Sequence, residues 1–402
     1  MHRMRGSWRR SRSRDAAPYL VGRECYVRRM IESITLRNFK SFGEEQTIPL
    51  EPITVLVGPN NSGKSNFMSV ARFLSNAVTA GLTAAIDQEG EVFFRRPDAG
   101  PQPCHIAWAA SRSTYAIGLS PNTNKPLLEE KFNNQDDALN FNRLKGNRLS
   151  NPAISTPLAG PPPLDGNTFI FQHRNMMTSK QHAEVDQLSI PFAGSKTIKL
   201  SISTLRSDAE VVPSPEIGLD GRGIAAVLGL WRGAMPEKAE ALNKFLSQCL
   251  PEIVDVLVRP APVPGFQRLW FRQKDGLEFD AAHVSDGVLV FTALVMLSLS
   301  VEPGQLLCIE EPEQSIHPKR LRELVDLLKD IVRERQCQFI IATHSTVLLN
   351  AFRDELEAVL LFRRSDTGTR VKRLSDVPEL VEALQQAPPG DLLETGAFST
   401  AF

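Results

Sequence analysis

Between residues 30 and 78 the apolar positions change their period from two to 3.6. Ile31, Ile34, Leu36 and Phe39 mark one strand, Gln46–Leu50 a second, and the nearly unbroken run Ile53-Thr-Val-Leu-Val57 a strand buried on both faces. After a glycine-rich turn, Phe67, Val70, Ala71, Phe73, Leu74, Ala77 and Val78 trace one face of a helix. The last third repeats the scheme. Residues 286–300 predict an apolar helix and Leu306–Ile309 a buried strand. Leu321, Leu324, Val325, Leu328, Ile331 and Val332 then place a helix over 318–334, before a further buried strand at Gln338–Ala342. Strands alternating with helices predict an α/β fold around a parallel sheet.

The middle of the chain is less regular. Residues 119–167 are rich in Ser, Pro, Asn and Gly and run into Pro161-Pro162-Pro163, which predicts an extended or partly disordered insertion. Strand-like pieces return at Thr168–Phe171 and Ile198–Ile202. Helices are expected near 222–231 and 236–249, and strands around 253–259 and 267–272. No heptad run supports a coiled-coil arm. No apolar run approaches the ~18 residues of a membrane span.

Charge alters this picture at one end only. The 402 residues carry 46 basic and 46 acidic side chains, but residues 1–29 hold nine arginines against Asp15 and Glu24. The remainder has 37 basic and 44 acidic residues, a net charge of −7. Wholesale coating of nucleic acid is therefore not expected of the body. The prefix reads either as a basic arm or as a disordered or mis-annotated stretch before a start at Met30. Cys25, Cys104, Cys249, Cys308 and Cys337 form no Cys-x-x-Cys pair, so neither a zinc cage nor a disulfide framework is expected, and a reducing cytoplasm fits.

Three segments carry chemistry. Gly58-Pro59-Asn60-Asn61-Ser62-Gly63-Lys64-Ser65 fits the phosphate-loop pattern in the strand–loop–helix setting it requires, with Asn66 just inside the helix. Backbone amides and the helix N-terminus would cradle phosphates, Lys64 would reach the β- and γ-phosphates, and Ser65 would ligate Mg²⁺. Leu306-Leu-Cys-Ile-Glu310-Glu311 delivers two carboxylates at the end of a strand. Glu310 would hold the metal, and Glu311 would polarise the attacking water. His344 closes the next strand, within reach of a γ-phosphate or that water. His317, before Pro318, is read either as part of the site or as a helix cap. Phe93-Phe-Arg95-Arg96 reads as a nucleic-acid contact or as a half-buried strand with solvated arginines.

Phosphate loop, acid pair, Ser-Ile-His-Pro turn and Thr-His-Ser, in this order, resemble the ABC-type ATPases of the SMC, RecF and OLD kind. The likeness is greater to the compact prokaryotic AAA family ATPases of the AAA15/AAA21 type. Met30–Pro49 resembles that family's opening strands, which implies that Arg37, Asn38 and Phe39 lie near the nucleotide. Val284-Ser285-Asp286-Gly287 resembles a shortened signature motif, and Pro389–Gly396 the family's ending. The likeness is dense over 30–75 and 205–350 and faint across 100–200. It implies an α/β P-loop NTPase, an ABC/SMC-head-like two-lobed ATPase with a mainly parallel core sheet and an inserted α+β lobe. The lobes would span 30–118, 119–300 and 301–402.

The resemblance further implies ATP and Mg²⁺ as cofactors and a head-to-tail dimer around two nucleotides. In it Ser285, Asp286 and Gly287 of one subunit face the γ-phosphate of the other, with Ser315 and His317 at the seam. Double-stranded DNA and a separately encoded nuclease or effector are the further partners it implies, in DNA repair or anti-phage defence. Two departures stand: Glu310 replaces the Asp of many relatives outside the group, and the full Leu-Ser-Gly-Gly-Gln signature is absent. For the glutamine that relatives place near the metal, Gln88 and Gln172 are both candidates without a decisive context, and Gln88 also reads as a surface residue. A nuclease activity within the chain is disfavoured, since only 58 residues follow His344. A non-hydrolysing scaffold is the other alternative.

Overall fold

A computed structural model describes residues 30–90, 93–95, 100–121, 127–134, 141–144, 148–150 and 179–402. The arginine-rich prefix, Arg96, the strand expected at Thr168–Phe171 and Gln172 lie outside them. The described chain opens with the antiparallel pair β1 (Ser33–Arg37) and β2 (Gln46–Pro49), then β3 (Ile53–Val57), all five residues of which are buried. Helices α1 (Lys64–Thr79) and α2 (Leu82–Glu89) follow. Strands β4 (Cys104–Ala110), β5 (Ser113–Leu119), β6 (Leu127–Asn134), β7 (Phe141–Leu144) and β8 (Arg148–Ser150) extend the opening pair into a seven-stranded antiparallel sheet, ordered β2-β1-β4-β5-β6-β7-β8.

That sheet corrects the expectation for the described residues between 119 and 150, residues 151–167 lying outside the description. Its described parts are paired strands, and the sheet runs across the boundary expected at 118/119. The register, Tyr115 against Phe132 and Ala116 against Lys131, keeps both aromatic rings on the covered face, where each is fully buried. Cross-strand pairing thus overrides a composition that reads as loop.

Helix α3 (Ser179–Ser189) lies on this sheet, its Leu188 carbonyl accepting from Trp108 Nε1 at 2.9 Å. β9 (Lys196–Ile198) is shorter than expected, because Ile202 opens a helical turn, α4 (Ile202–Leu205), where a strand was predicted. β10 (Ala209–Glu210), α5 (Ile224–Ala234), α6 (Pro236–Cys249), β11 (Ile253–Pro260), β12 (Phe266–Gln273) and β13 (Glu278–Asp280) make an α+β unit around a small antiparallel sheet. The chain returns through α7 (Asp286–Ser300), β14 (Leu306–Glu310), α8 (Pro318–Arg335), β15 (Gln338–Ala342) and α9 (Thr346–Asn350). It ends with β16 (Val359–Ser365), β17 (Gly368–Arg373), α10 (Pro378–Ala383) and α11 (Pro389–Glu394).

The central sheet has the order β17-β16-β3-β15-β14-β9, parallel except for β17. Alternation along its strands feeds two cores. Val55, Ile309 and Ile341 point into one shared with α5, α7 and α8, whereas Leu56, Cys308 and Ile340 point into another shared with α1 and the antiparallel sheet. α7 is buried over most of its circumference, from Leu289 to Leu299, which anchors its N-terminus rigidly. Cys104, Cys249, Cys308 and Cys337 are free and buried, and burial pushes the Cys308 thiol up to about 12. Among the described residues no helix is long and apolar enough to cross a membrane.

Candidate functional site

Because β3, β14 and β15 run parallel, their carboxyl ends open on one edge of the sheet, where open α/β sheets bind ligands. That edge holds a cavity of about 220 Å³ lined by Asn60–Asn66, Glu310, Glu311, Ala342 and His344. Three segments far apart in sequence therefore meet in one cleft.

The loop after β3 is held from behind. Gly63, at φ 108°, is in a conformation that favours glycine, and a Cβ there would stand 2.2 Å from Thr369 Oγ1 of β17. Thr369 Oγ1 lies 3.0 Å from the Ser62 carbonyl and 2.8 Å from Ser41 Oγ, which also accepts from Asn66 Nδ2 at 2.8 Å. Asn66 is thus tied to this buttress as well as lining the cleft. The Ser62 hydroxyl is buried without a partner. No acidic residue occupies the first turn of α1, so its unpaired amides keep their affinity for anions. Lys64 is buried, donating to the Gly58 carbonyl at 2.6 Å and the Pro59 carbonyl at 3.1 Å. Burial lowers its pKa, against the opposing pull of Glu311, Glu310 and Glu313.

Glu310 ends β14. Glu311 follows at φ 50°, its amide donating to the Ala342 carbonyl at 2.8 Å and its carboxylate accepting from Gln314 Nε2. His344 has its amide held by Glu313 Oε1 at 2.7 Å, and Glu313 Oε2 is buried without a partner. Burial and the neighbouring Lys64 charge lower the pKa of His344, which favours the neutral ring. Among the described residues no group of three or more His, Cys, Asp or Glu side chains makes a self-sufficient metal cage. The Ser65 hydroxyl and the Glu310 carboxylate are hard oxygen donors, a set that suits Mg²⁺ shared with phosphates.

The second cluster of expected residues lies at the start of α7. Ser285 is the N-cap, but its side chain makes no capping hydrogen bond. Asp286 pairs with Arg206 at 2.5 Å, and the same guanidinium donates to the carbonyls of Ala282 and Val284. Gly287 has the Ser315 carbonyl so close that a Cβ would sit 2.7 Å from it. Ser315 itself is exposed at φ 62°. His317 caps α8, accepting from the Lys319 amide at 3.2 Å, the structural alternative foreseen for it.

Other residues singled out in the sequence do not line this cleft. Phe39 is fully buried, edge-on to Phe93 at 5.3 Å, and so presents no ring to a nucleotide. Asn38 is bonded to the Pro103 carbonyl at 3.0 Å, Arg37 is exposed, and none of the three lines the cleft. Phe93 and Phe94 are core residues and Arg95 leans on the Ser41 carbonyl, which removes the stacking contact with nucleic acid. Gln88 is exposed and accepts from Asn76, in keeping with its reading as a surface residue. Sequence reasoning missed Lys199, Arg206, Glu313 and Thr369. Lys199 and Thr369 acquire meaning only through the registers of β9 on β14 and β17 on β16, which no local pattern displays.

Comparison with known proteins bears on the fold and the family. The profile of the family described as AAA domain, putative AbiEii toxin, Type IV TA system matches residues 112–350, and that of the AAA ATPase domain matches 30–100. An OLD nuclease of Thermus scotoductus is 24% identical over 382 residues, covering 85% of this chain and 63% of its own length. The chain thus spans less than two thirds of that relative. The Smc head domain of Pyrococcus furiosus, solved with the C-terminal domain of ScpA, superposes with a TM-score of 0.53 at 12% identity, covering 89% of this chain and 99% of that one. A SmcHead bound to the C-winged helix domain of ScpA gives 0.52 at 14% identity, over 85% and 97%. The fold is that of the two-lobed SMC head domains, with a P-loop at the edge of its parallel sheet. The chain belongs to the AAA-domain ATPase family whose profile spans 112–350.

Proposed function

We propose that the protein is an ATP-driven molecular switch. ATP binds along the loop, with the α1 amides and Lys64 on its phosphates, and Mg²⁺ is held by Ser65 and Glu310 and contributes charge neutralisation on the phosphates. Glu311 orients and deprotonates the attacking water, and neutral His344 contacts the γ-phosphate or that water. Phosphoryl transfer asks for an in-line nucleophile and charge stabilisation, which this set provides. Two heads close around two nucleotides, the α7 start of each completing the site of the other, and hydrolysis reopens them because those contacts require the γ-phosphate.

The observation that carries this reading is the convergence of loop, acid pair and His344 on one cleft. Asp286 and the capping role of His317 leave Ser285 as the group at the α7 start best suited to meet a phosphate. The work of the switch goes to DNA or to a partner effector. The nuclease name of one relative and the ScpA-bound state of the fold neighbours favour a partner protein. Purified protein should hydrolyse ATP, Lys64→Ala should not, and Glu311→Gln should bind ATP and accumulate as a dimer. Adding double-stranded DNA separates the two couplings, since stimulation assigns the trigger to DNA and indifference assigns it to a protein. Wild-type hydrolysis by Glu311→Gln would remove Glu311 from the mechanism.

A further inference from the structure

The acid pair already has a cation beside it. Lys199 stands one residue beyond β9, and the parallel register that sets Ile198 against Ile309 brings it level with Glu310. Its ammonium lies 3.8 Å from Glu310 Oε2 and 3.5 Å from Glu311 Oε2. Lys64 also feels the charge of these acids, but its ammonium donates to the loop carbonyls of Gly58 and Pro59. Among the described residues Lys199 is thus the cation that forms ion pairs with both adjacent carboxylates.

We propose that Lys199 is the resident counter-ion of Glu310 and Glu311, a positioning residue that a divalent cation must displace. This rests on the assignment of Glu310 to the metal. Adjacent carboxylates repel each other, and an ammonium within 4 Å of both relieves that repulsion without coordinating anything. A lysine has no lone pair to offer a metal while protonated, so Lys199 and Mg²⁺ exclude each other from the same oxygens. The Lys199 side chain is 57% exposed, and its flexible stem can swing into solvent at little cost. The consequence is selectivity. Free Mg²⁺ is disfavoured at the empty head, and Mg²⁺ arriving with nucleotide phosphates, which supply further ligands, displaces the lysine.

The test is Mn²⁺ binding to the full chain, followed by electron paramagnetic resonance without nucleotide, for wild type, Lys199→Gln and Lys199→Arg. Lys199→Gln should lower the Mn²⁺ midpoint by about three- to tenfold at low salt, the range of a partly solvated charge pair. The gain should shrink in about 0.5 M salt and disappear when Glu310→Gln is added. Lys199→Arg should keep the wild-type midpoint. An unchanged or raised midpoint in Lys199→Gln, or equal shifts in the Gln and Arg variants, overturns the proposal. Binding of a fluorescent ATP analogue in EDTA separates this from the site itself. A wild-type protein that binds no nucleotide refutes the site, whereas nucleotide binding with an unmoved Mn²⁺ midpoint refutes only the counter-ion.

Discussion

Two helices begin at the functional surface, and they begin differently. α1 starts from a glycine, carries no acid in its first turn, and has Lys64 and two carboxylates within the same cleft. α7 starts from an N-cap serine that caps nothing, carries Asp286 in its first turn, and is clasped by Arg206. The first has everything a phosphate and its metal require, on the rigid carboxyl ends of three parallel strands. The second offers a hydroxyl and a fixed backbone, with neither phosphate lysine nor metal ligand of its own. Under the proposed function the first is the site and the second a wall that closes it when a second chain brings the nucleotide. The contrast is what the proposed composite site, shared between two copies, requires.

Substitutions on the α1 side should damage chemistry, and those on the α7 side association. The largest effect is expected of Glu311→Gln, a loss of about 10²–10⁴ in the hydrolysis rate with ATP affinity retained, measured by single-turnover kinetics and equilibrium binding. Lys64→Ala should weaken ATP binding by about 10- to 100-fold, since a charged hydrogen bond to phosphate is worth about 1.5–3 kcal/mol, as titration calorimetry would show. Gly287→Ala drives a methyl against the Ser315 carbonyl, an overpacking cost of about 1–3 kcal/mol. It should weaken the ATP-dependent dimer about tenfold or more in light scattering while single-head ATP affinity stays within about threefold. Equal damage to binding from Gly287→Ala would erase the distinction between the two helix starts.

Arg206→Ala should cost about 1 kcal/mol or less, because the Asp286 side chain is 46% exposed and the pair is screened; thermal denaturation would show it. The smallest effect is His344. Its pKa is lowered from 6.5 by burial first and by Lys64 second. Its ring resonances should therefore titrate below 6.5 by NMR, moving up in Lys64→Ala. With the folded value lowered, the stability His344 contributes is present above pH 6.5 and is lost as pH falls through the folded value.

Much of this was visible along the chain. The phosphate loop, the strand ending in Glu310 and Glu311 and the helix at 286–300 all have local signatures, because each needs a run of apolar residues at one period followed by polar chemistry. β6, β7 and β8 have none, since their stability comes from pairing with β5 and with one another rather than from their own composition. Phe39, in contrast, sits in a segment that family likeness places near the nucleotide, while its ring is consumed by packing on Phe93. Thr369 lies 307 residues from the Ser62 carbonyl it supports. Lys199 and Glu310 likewise sit on segments that only the pairing of β9 with β14 brings together. Sheet order decides both contacts, and no short stretch of sequence carries sheet order.

The most direct test of the composite site is complementation between two defective chains. Lys64→Ala keeps an intact α7 start but lacks the phosphate lysine, and Gly287→Ala keeps an intact loop but has a displaced α7 start. Each alone should be nearly inactive in ATP hydrolysis. Mixed in equal amounts, at protein and ATP concentrations high enough to offset the weaker pairing, one working site forms in half of the two-fold dimers, so up to about a quarter of the wild-type rate should return. A mixture no more active than the sum of its parts would contradict the account, because the α7 start would then not serve the nucleotide of a second chain.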